Sequence, residues 1–162
     1  AALADLKPMA PLLLGYVLSF VYVGIYWNNH HHMLHAAKSV TGPILWANLH
    51  LLFWLSVVPL ATNWMGEHPL AKAPTALYGG VLLMNAIAFT ILASLLVRHE
   101  GPNSTLAKAF GRDYKGKASL AFYGLAIAAA PFEPWISIVL YVTVAVIWFL
   151  PDPRIERAMD GA

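Results

Sequence analysis

The chain has 162 residues, of which 59% are hydrophobic and only 11% charged, whereas soluble domains run near 45–50% apolar and about 25% charged. A domain this small cannot hide that much apolar surface from water, so the composition excludes an ordinary soluble fold and predicts an all-α, polytopic membrane helix bundle facing the lipid bilayer. The net charge of +2 with basic residues set between apolar runs argues against a nucleic-acid surface, and the absence of cysteine removes disulfides, thiolate metal sites and cysteine nucleophiles.

Five apolar runs are compared with the ~20 helical residues that span a bilayer. The first, 9–27, gives way to the polar string Asn28-Asn29-His30-His31-His32. The second, 44–61, opens after Thr41-Gly42-Pro43, where a missing backbone N–H costs least, and closes at Thr62-Asn63. The third, 75–97, is stopped by Arg98-His99-Glu100-Gly101-Pro102. The apolar part of the fourth, 118–130, is only ~20 Å of helix, so the element is expected to start earlier, at 105, after an Asn103 or Ser104 N-cap. Leu106, Phe110 and Tyr114 recur there at helical spacing among Lys108, Arg112, Lys115 and Lys117, as in an interfacial amphipathic stretch entering the membrane. Pro131-Phe132-Glu133-Pro134 makes a turn into the fifth, 135–150, which Pro151-Asp152-Pro153 ends.

Five spans put the termini on opposite sides. With the His cluster inside, Lys38, Arg98, Lys108, Arg112, Lys115, Lys117, Arg154 and Arg157 are cytoplasmic and only Lys7 and Lys72 are outside. This asymmetry predicts a cytoplasmic C-terminus and an exoplasmic residue 1. Ala-Ala-Leu-Ala-Asp reads as a loop, and one more helix before it would bring both ends to the cytoplasm.

Polar residues near or within the spans are the candidate functional groups. His31 and His35 share a helix face at i, i+4, a spacing that can hold zinc, but further ligands are not in evidence and no metal is expected. Together with His30 and His32 they read as interfacial histidines at a helix C-terminus, where the dipole favours positive charge. Trp27, His30 and His31 fall within one face with Asn29 opposite, which suits a hydrogen-bonding cluster between helices. Asn48, His50 and Asn85 interrupt apolar spans and are candidates because polar groups at membrane depth are costly unless paired. For Asn85 an interhelical hydrogen bond is the expected role. Thr75/Gly79, Ala76/Gly80 and Gly124/Ala128 are small-residue pairs that let helices approach closely. The eight acids lie in loops or at ends, and no nucleophile motif, phosphate loop or zinc-protease pattern appears, so no enzyme activity is expected. Haem ligation by His50 with the His30 cluster is not expected either, and no cofactor is implied.

The run Tyr16-Val17-Leu18-Ser19-Phe20, then Gly24-Ile25-Tyr26-Trp27 followed by Asn29-His30-His31, and then Leu45-Trp46-Ala47-Asn48-Leu49 with Phe53 and Pro59, resembles the second and third helices of the transmembrane protein 175 family of potassium-permeable channels. That resemblance covers about two fifths of the chain. It implies a six-helix repeat with both termini cytoplasmic, assembled as a homotetramer in a prokaryotic plasma membrane and passing potassium ions. In the family the ion path is lined by a first helix that opens with Arg-x-x-x-Phe-Ser-Asp and narrows at apolar side chains. Trp27, Asn29, His30, His31, Trp46 and Asn48 match the positions that brace that helix. This sequence contains no Arg-x-x-x-Phe-Ser-Asp, and no pore-lining residue is identified in its five spans. His32 and His50 add to the family pattern. The rival expectation is a non-conducting accessory or scaffolding subunit packed among other membrane subunits.

Overall fold

The computed structural model describes residues 10–110 and 113–149. The start of the first apolar run at Met9, the end of the fifth at Leu150, and Lys7, Arg112, Arg154 and Arg157 lie outside the described residues. Six helices follow one another: α1 (Ala10–His35), α2 (Gly42–Glu67), α3 (Lys72–Glu100), α4 (Thr105–Phe110), α5 (Tyr114–Ala129) and α6 (Pro134–Phe149). Among the described residues there is no strand.

Helix α1 runs two turns past the apolar stretch that closes at Trp27, because no glycine or proline interrupts residues 25–41. The polar string Asn28 to His35 is therefore helical. Pro43 occupies the first turn of α2, and Pro59 lies inside it, where it removes one backbone N–H donor. Helix α3 ends at Gly101, whose φ of 89° suits glycine, and whose N–H bonds to the Val97 carbonyl. The segment expected as one element over 105–130 is divided into α4 and α5. Ser104 Oγ caps α4 by accepting the Ala107 N–H at 3.1 Å, and Asp113 Oδ1 caps α5 by accepting the Gly116 N–H at 2.7 Å. Each cap satisfies a donor that a helix start leaves open, so two starts replace one.

Helices α2 and α3 are each long and apolar enough to cross a membrane, and α6 is a shorter apolar helix. Helix α3 sits at the centre, packed on α2, α5 and α6, while α1 leans mainly on α2. Two apolar clusters divide the interior. Tyr22, Val58, Tyr78, Leu82, Tyr123, Tyr141 and Val144 form one. Met33, Ile44, Leu51, Phe89, Leu92, Leu96 and Leu106 form the other, at the end where the histidines gather. At that end the connection after α1 is tied to the end of α3: the Lys38 N–H donates to Glu100 Oε1 and Ser39 Oγ meets His99 Nε2, both at 2.8 Å. Among the described basic residues Lys38, Arg98, Lys108, Lys115 and Lys117 cluster at this end, and Lys72 lies at the other.

The outer surface is apolar. Tyr16, Val17 and Phe20 of α1, Leu45, Leu49 and Phe53 of α2, and Val139, Val142 and Val146 of α6 are all exposed. Contiguous apolar surface of this extent belongs against lipid or other helices.

Candidate functional site

The six residues singled out in the sequence fall where the end of α1 meets the start of α2. The helices are antiparallel neighbours, so His30, five residues before the end of α1, and Asn48, six residues into α2, reach the same depth. His30 Nε2 lies 2.6 Å from Asn48 Oδ1, which accepts from the Nε2–H tautomer. This is the direct link between the two helices within the set.

The other four divide into an outward and an inward group. His31 stacks between Trp27 (ring centroids 5.3 Å) and His35 (6.0 Å), with His32 edge-on to it at 5.7 Å. Trp27 is 61% exposed and Trp46 75% exposed, and neither indole N–H has a partner among the described residues. Asn29 turns the opposite way. It is buried, its Nδ2 donates to the Ile25 carbonyl at 2.8 Å, and it borders a small internal cavity with Tyr22, Tyr26, Ser119 and Trp148. Trp46 touches none of the other five through a hydrogen bond or ring contact that the structure shows. Among the described residues no three His, Asp or Glu side chains come together as metal ligands.

His50 is occupied within its own helix, its Nε2 accepting the Trp54 indole N–H at 3.0 Å. Asn85 is fully buried and ties α3 to α2, its Nδ2 donating to the Trp54 carbonyl at 3.1 Å and to the Val81 carbonyl at 2.9 Å. Its Oδ1 is buried without a partner. Of the small-residue pairs, Thr75 and Gly79 are buried, and a Cβ at Gly79 would collide with Tyr141 Oη. Gly124 and Ala128 face outward.

Sequence reasoning missed the tyrosines. Tyr22 Oη donates to the Tyr141 carbonyl at 2.6 Å, and Tyr141 Oη donates to the Thr75 carbonyl at 2.9 Å. Tyr78 packs edge-on against both rings, at 6.1 Å from Tyr22 and 5.3 Å from Tyr141. These contacts join α1, α6 and α3 through the middle of the bundle. The one available signal was the inward position of each tyrosine on its helix, which does not distinguish a hydrogen-bonded ring from apolar filling.

The site is thus a helix-pair surface with one clasp between α1 and α2, the His30–Asn48 bond, and two outward indoles. A family model described as endosomal/lysosomal potassium channel TMEM175 matches residues 1–59, which contain the whole site. The chain is 52% identical over 156 residues to a potassium channel of Chryseobacterium sp. (strain P1-3), covering 96% of this chain and 81% of that one. It is 25% identical over 161 residues to a potassium channel of Chamaesiphon minutus, covering 91% and 75% of the two chains. It is also 30% identical over 86 residues to a potassium channel of Streptomyces collinus, covering 51% and 42%. No solved structure gives a significant match.

Proposed function

The chain belongs to the transmembrane protein 175 family of potassium channels, and from that premise we propose that it is a subunit of an oligomeric potassium-permeable channel in which α1 and α2 brace a pore-lining helix lying outside these 162 residues. It is an integral membrane protein, and the family consists of channels, not enzymes. The reading adds that the helices cross a prokaryotic plasma membrane five times, with the basic end of the bundle and the C-terminus cytoplasmic and residue 1 exoplasmic. Four copies surround one ion path.

The observation that carries the bracing role is the outward presentation of donors. Trp27, His31 and Trp46 are exposed near the His30–Asn48 bond, with Asn28 and His35 exposed on the same stretch of α1. Indole N–H groups turned out of a membrane helix need a partner, because hydrocarbon offers none. A polar motif at the cytoplasmic end of a neighbouring helix supplies one, whereas the buried Asn29 supports α1 from behind.

Replacing Trp27 or Trp46 by Phe keeps the ring and removes the donor. In the assembled channel each change is expected to lower potassium flux or tetramer yield by about 2–10-fold, the worth of one hydrogen bond of roughly 0.5–1.5 kcal/mol. Trp64→Phe, on the exposed far end of α2, serves as the control and leaves both unchanged. If the Trp27 and Trp46 variants match that control, the face holds no polar helix end and the bracing role is wrong. A full-length protein that assembles but never passes potassium would favour an accessory subunit instead.

A further inference from the structure

The basic end of the bundle carries a second feature that the bracing face does not use. Between α3 and α5 lies a cleft of about 200 Å³, open on one side. Ala93, Val97 and Leu120 form its apolar walls, while Thr90, Ser94 and Lys117 contribute two hydroxyls and a cation. Asp113 also borders it, but its carboxylate is committed to the first turn of α5, where Oδ1 accepts the Gly116 N–H at 2.7 Å. Glu100, the other described acid at this end, accepts the Lys38 N–H. Among the described residues Lys117 has no carboxylate partner. The two carboxylates keep their charge but are outnumbered by the five described lysines and arginines at this end, Lys38, Arg98, Lys108, Lys115 and Lys117, and that positive surplus around the cleft favours an anion.

The geometry points to an anionic phospholipid as the occupant, its phosphate on Lys117 with the Ser94 hydroxyl as donor, and the start of an acyl chain against Ala93, Val97 and Leu120; the Thr90 hydroxyl donates to the Ala86 carbonyl at 2.8 Å and takes no part. A lipid fits better than a free anion because Ala93, Val97 and Leu120 line the cleft beside Lys117, and the cleft lies between two helices at the charged rim. Basic side chains at that depth are placed to meet headgroups. The assignment rests on the reading of α3 and α5 as membrane helices with their basic end at an interface.

Native mass spectrometry of the full chain, titrated with phosphatidylglycerol or phosphatidylcholine, tests it. Phosphatidylglycerol is expected to be retained selectively, and Lys117→Gln to reduce retention about fivefold, the worth of one lysine at an anionic lipid surface. Ser94→Phe, which fills the cleft from an exposed position, is expected to reduce it without altering charge. Lys72→Gln, at the other end, leaves retention unchanged. Equal retention by the Lys117 and Ser94 variants overturns the site. Competition by millimolar inorganic phosphate identifies a free-anion site and overturns the lipid assignment. Retention is read without conduction, so loss of potassium flux leaves this site standing, and equal retention leaves the channel reading standing.

Discussion

Two adjacent glycines of α3 should respond oppositely to the same substitution. A Cβ added at Gly79 would overlap Tyr141 Oη and come within 2.9 Å of both Tyr141 Cζ and Ile127 Cγ1, whereas one added at Gly80 meets nothing within 4 Å. Tyr141 cannot step aside cheaply. Its hydroxyl donates to the Thr75 carbonyl, its carbonyl accepts from Tyr22, and its ring lies 5.3 Å from Tyr78 and 6.3 Å from Tyr123. Overpacking a filled core costs about 1–3 kcal/mol, and breaking the Tyr141–Thr75 bond adds about 0.5–1.5 kcal/mol. Alanine returns about 1 kcal/mol through helix propensity, leaving Gly79→Ala destabilised by about 2 kcal/mol. For a chain of this length that is about 4–8 °C in unfolding midpoint. Gly80→Ala keeps only the propensity gain and should unfold at the wild-type midpoint or up to about 4 °C above it. Thermal unfolding of the purified protein in detergent, followed by tryptophan fluorescence, measures both. Equal midpoints for the two variants would refute the close approach of α3 and α6.

Three further outcomes are expected. On this cysteine-free chain, a cysteine at Ser39 should react with impermeant reagent only from the cytoplasm and one at Glu67 only from outside; cytoplasmic labelling at Glu67 inverts the topology. A double-mutant cycle of His30→Ala and Asn48→Ala should give a coupling of about 0.5–1.5 kcal/mol, and additivity would mean that the 2.6 Å contact contributes nothing. Because His31 is stacked between Trp27 and His35, chelator should leave the unfolding midpoint unchanged, and a drop on chelation would reveal a histidine metal site.

The bundle was legible in the sequence where a run of apolar residues met a chemical stop. The stop at Gly101 and a cap at Asn103 or Ser104 could be read directly, since each acts within one helical turn, and the structure places the cap on Ser104. The split at Asp113 was not, because Leu106, Phe110 and Tyr114 keep a helical period across it. Only the cap on Gly116, where a Cβ would overlap the Asp113 carboxylate, shows why a new helix starts there. Asn85 forms the interhelical bond expected for a polar group in an apolar span, but its partner is the Trp54 carbonyl, which no side-chain pattern encodes. The six site residues gathered at one end because four lie on one stretch of α1 and two on the facing start of α2. Their division into a bonded pair, an outward stack and the inward Asn29 depends on how far α1 is rotated against α2. The tyrosine chain is hidden for the same reason: its acceptors are backbone carbonyls of other helices, fixed only once the bundle has packed.

Potassium efflux from liposomes most directly tests whether these helices support a pore or form one. Two preparations are compared at equal protein content: the 162-residue chain, and the same chain extended at its N-terminus by a helix bearing the Arg-x-x-x-Phe-Ser-Asp pattern. None of the described helices carries an acidic residue in its middle, and the inward polar groups of α1, Ser19, Tyr22 and Asn29, are buried in the packed bundle, with Tyr22 and Asn29 already bonded to backbone carbonyls rather than free to replace an ion's water. The bracing account therefore predicts efflux from the extended form only. Reproducible potassium efflux from the 162-residue chain alone would contradict it, placing the ion path among α1 to α6.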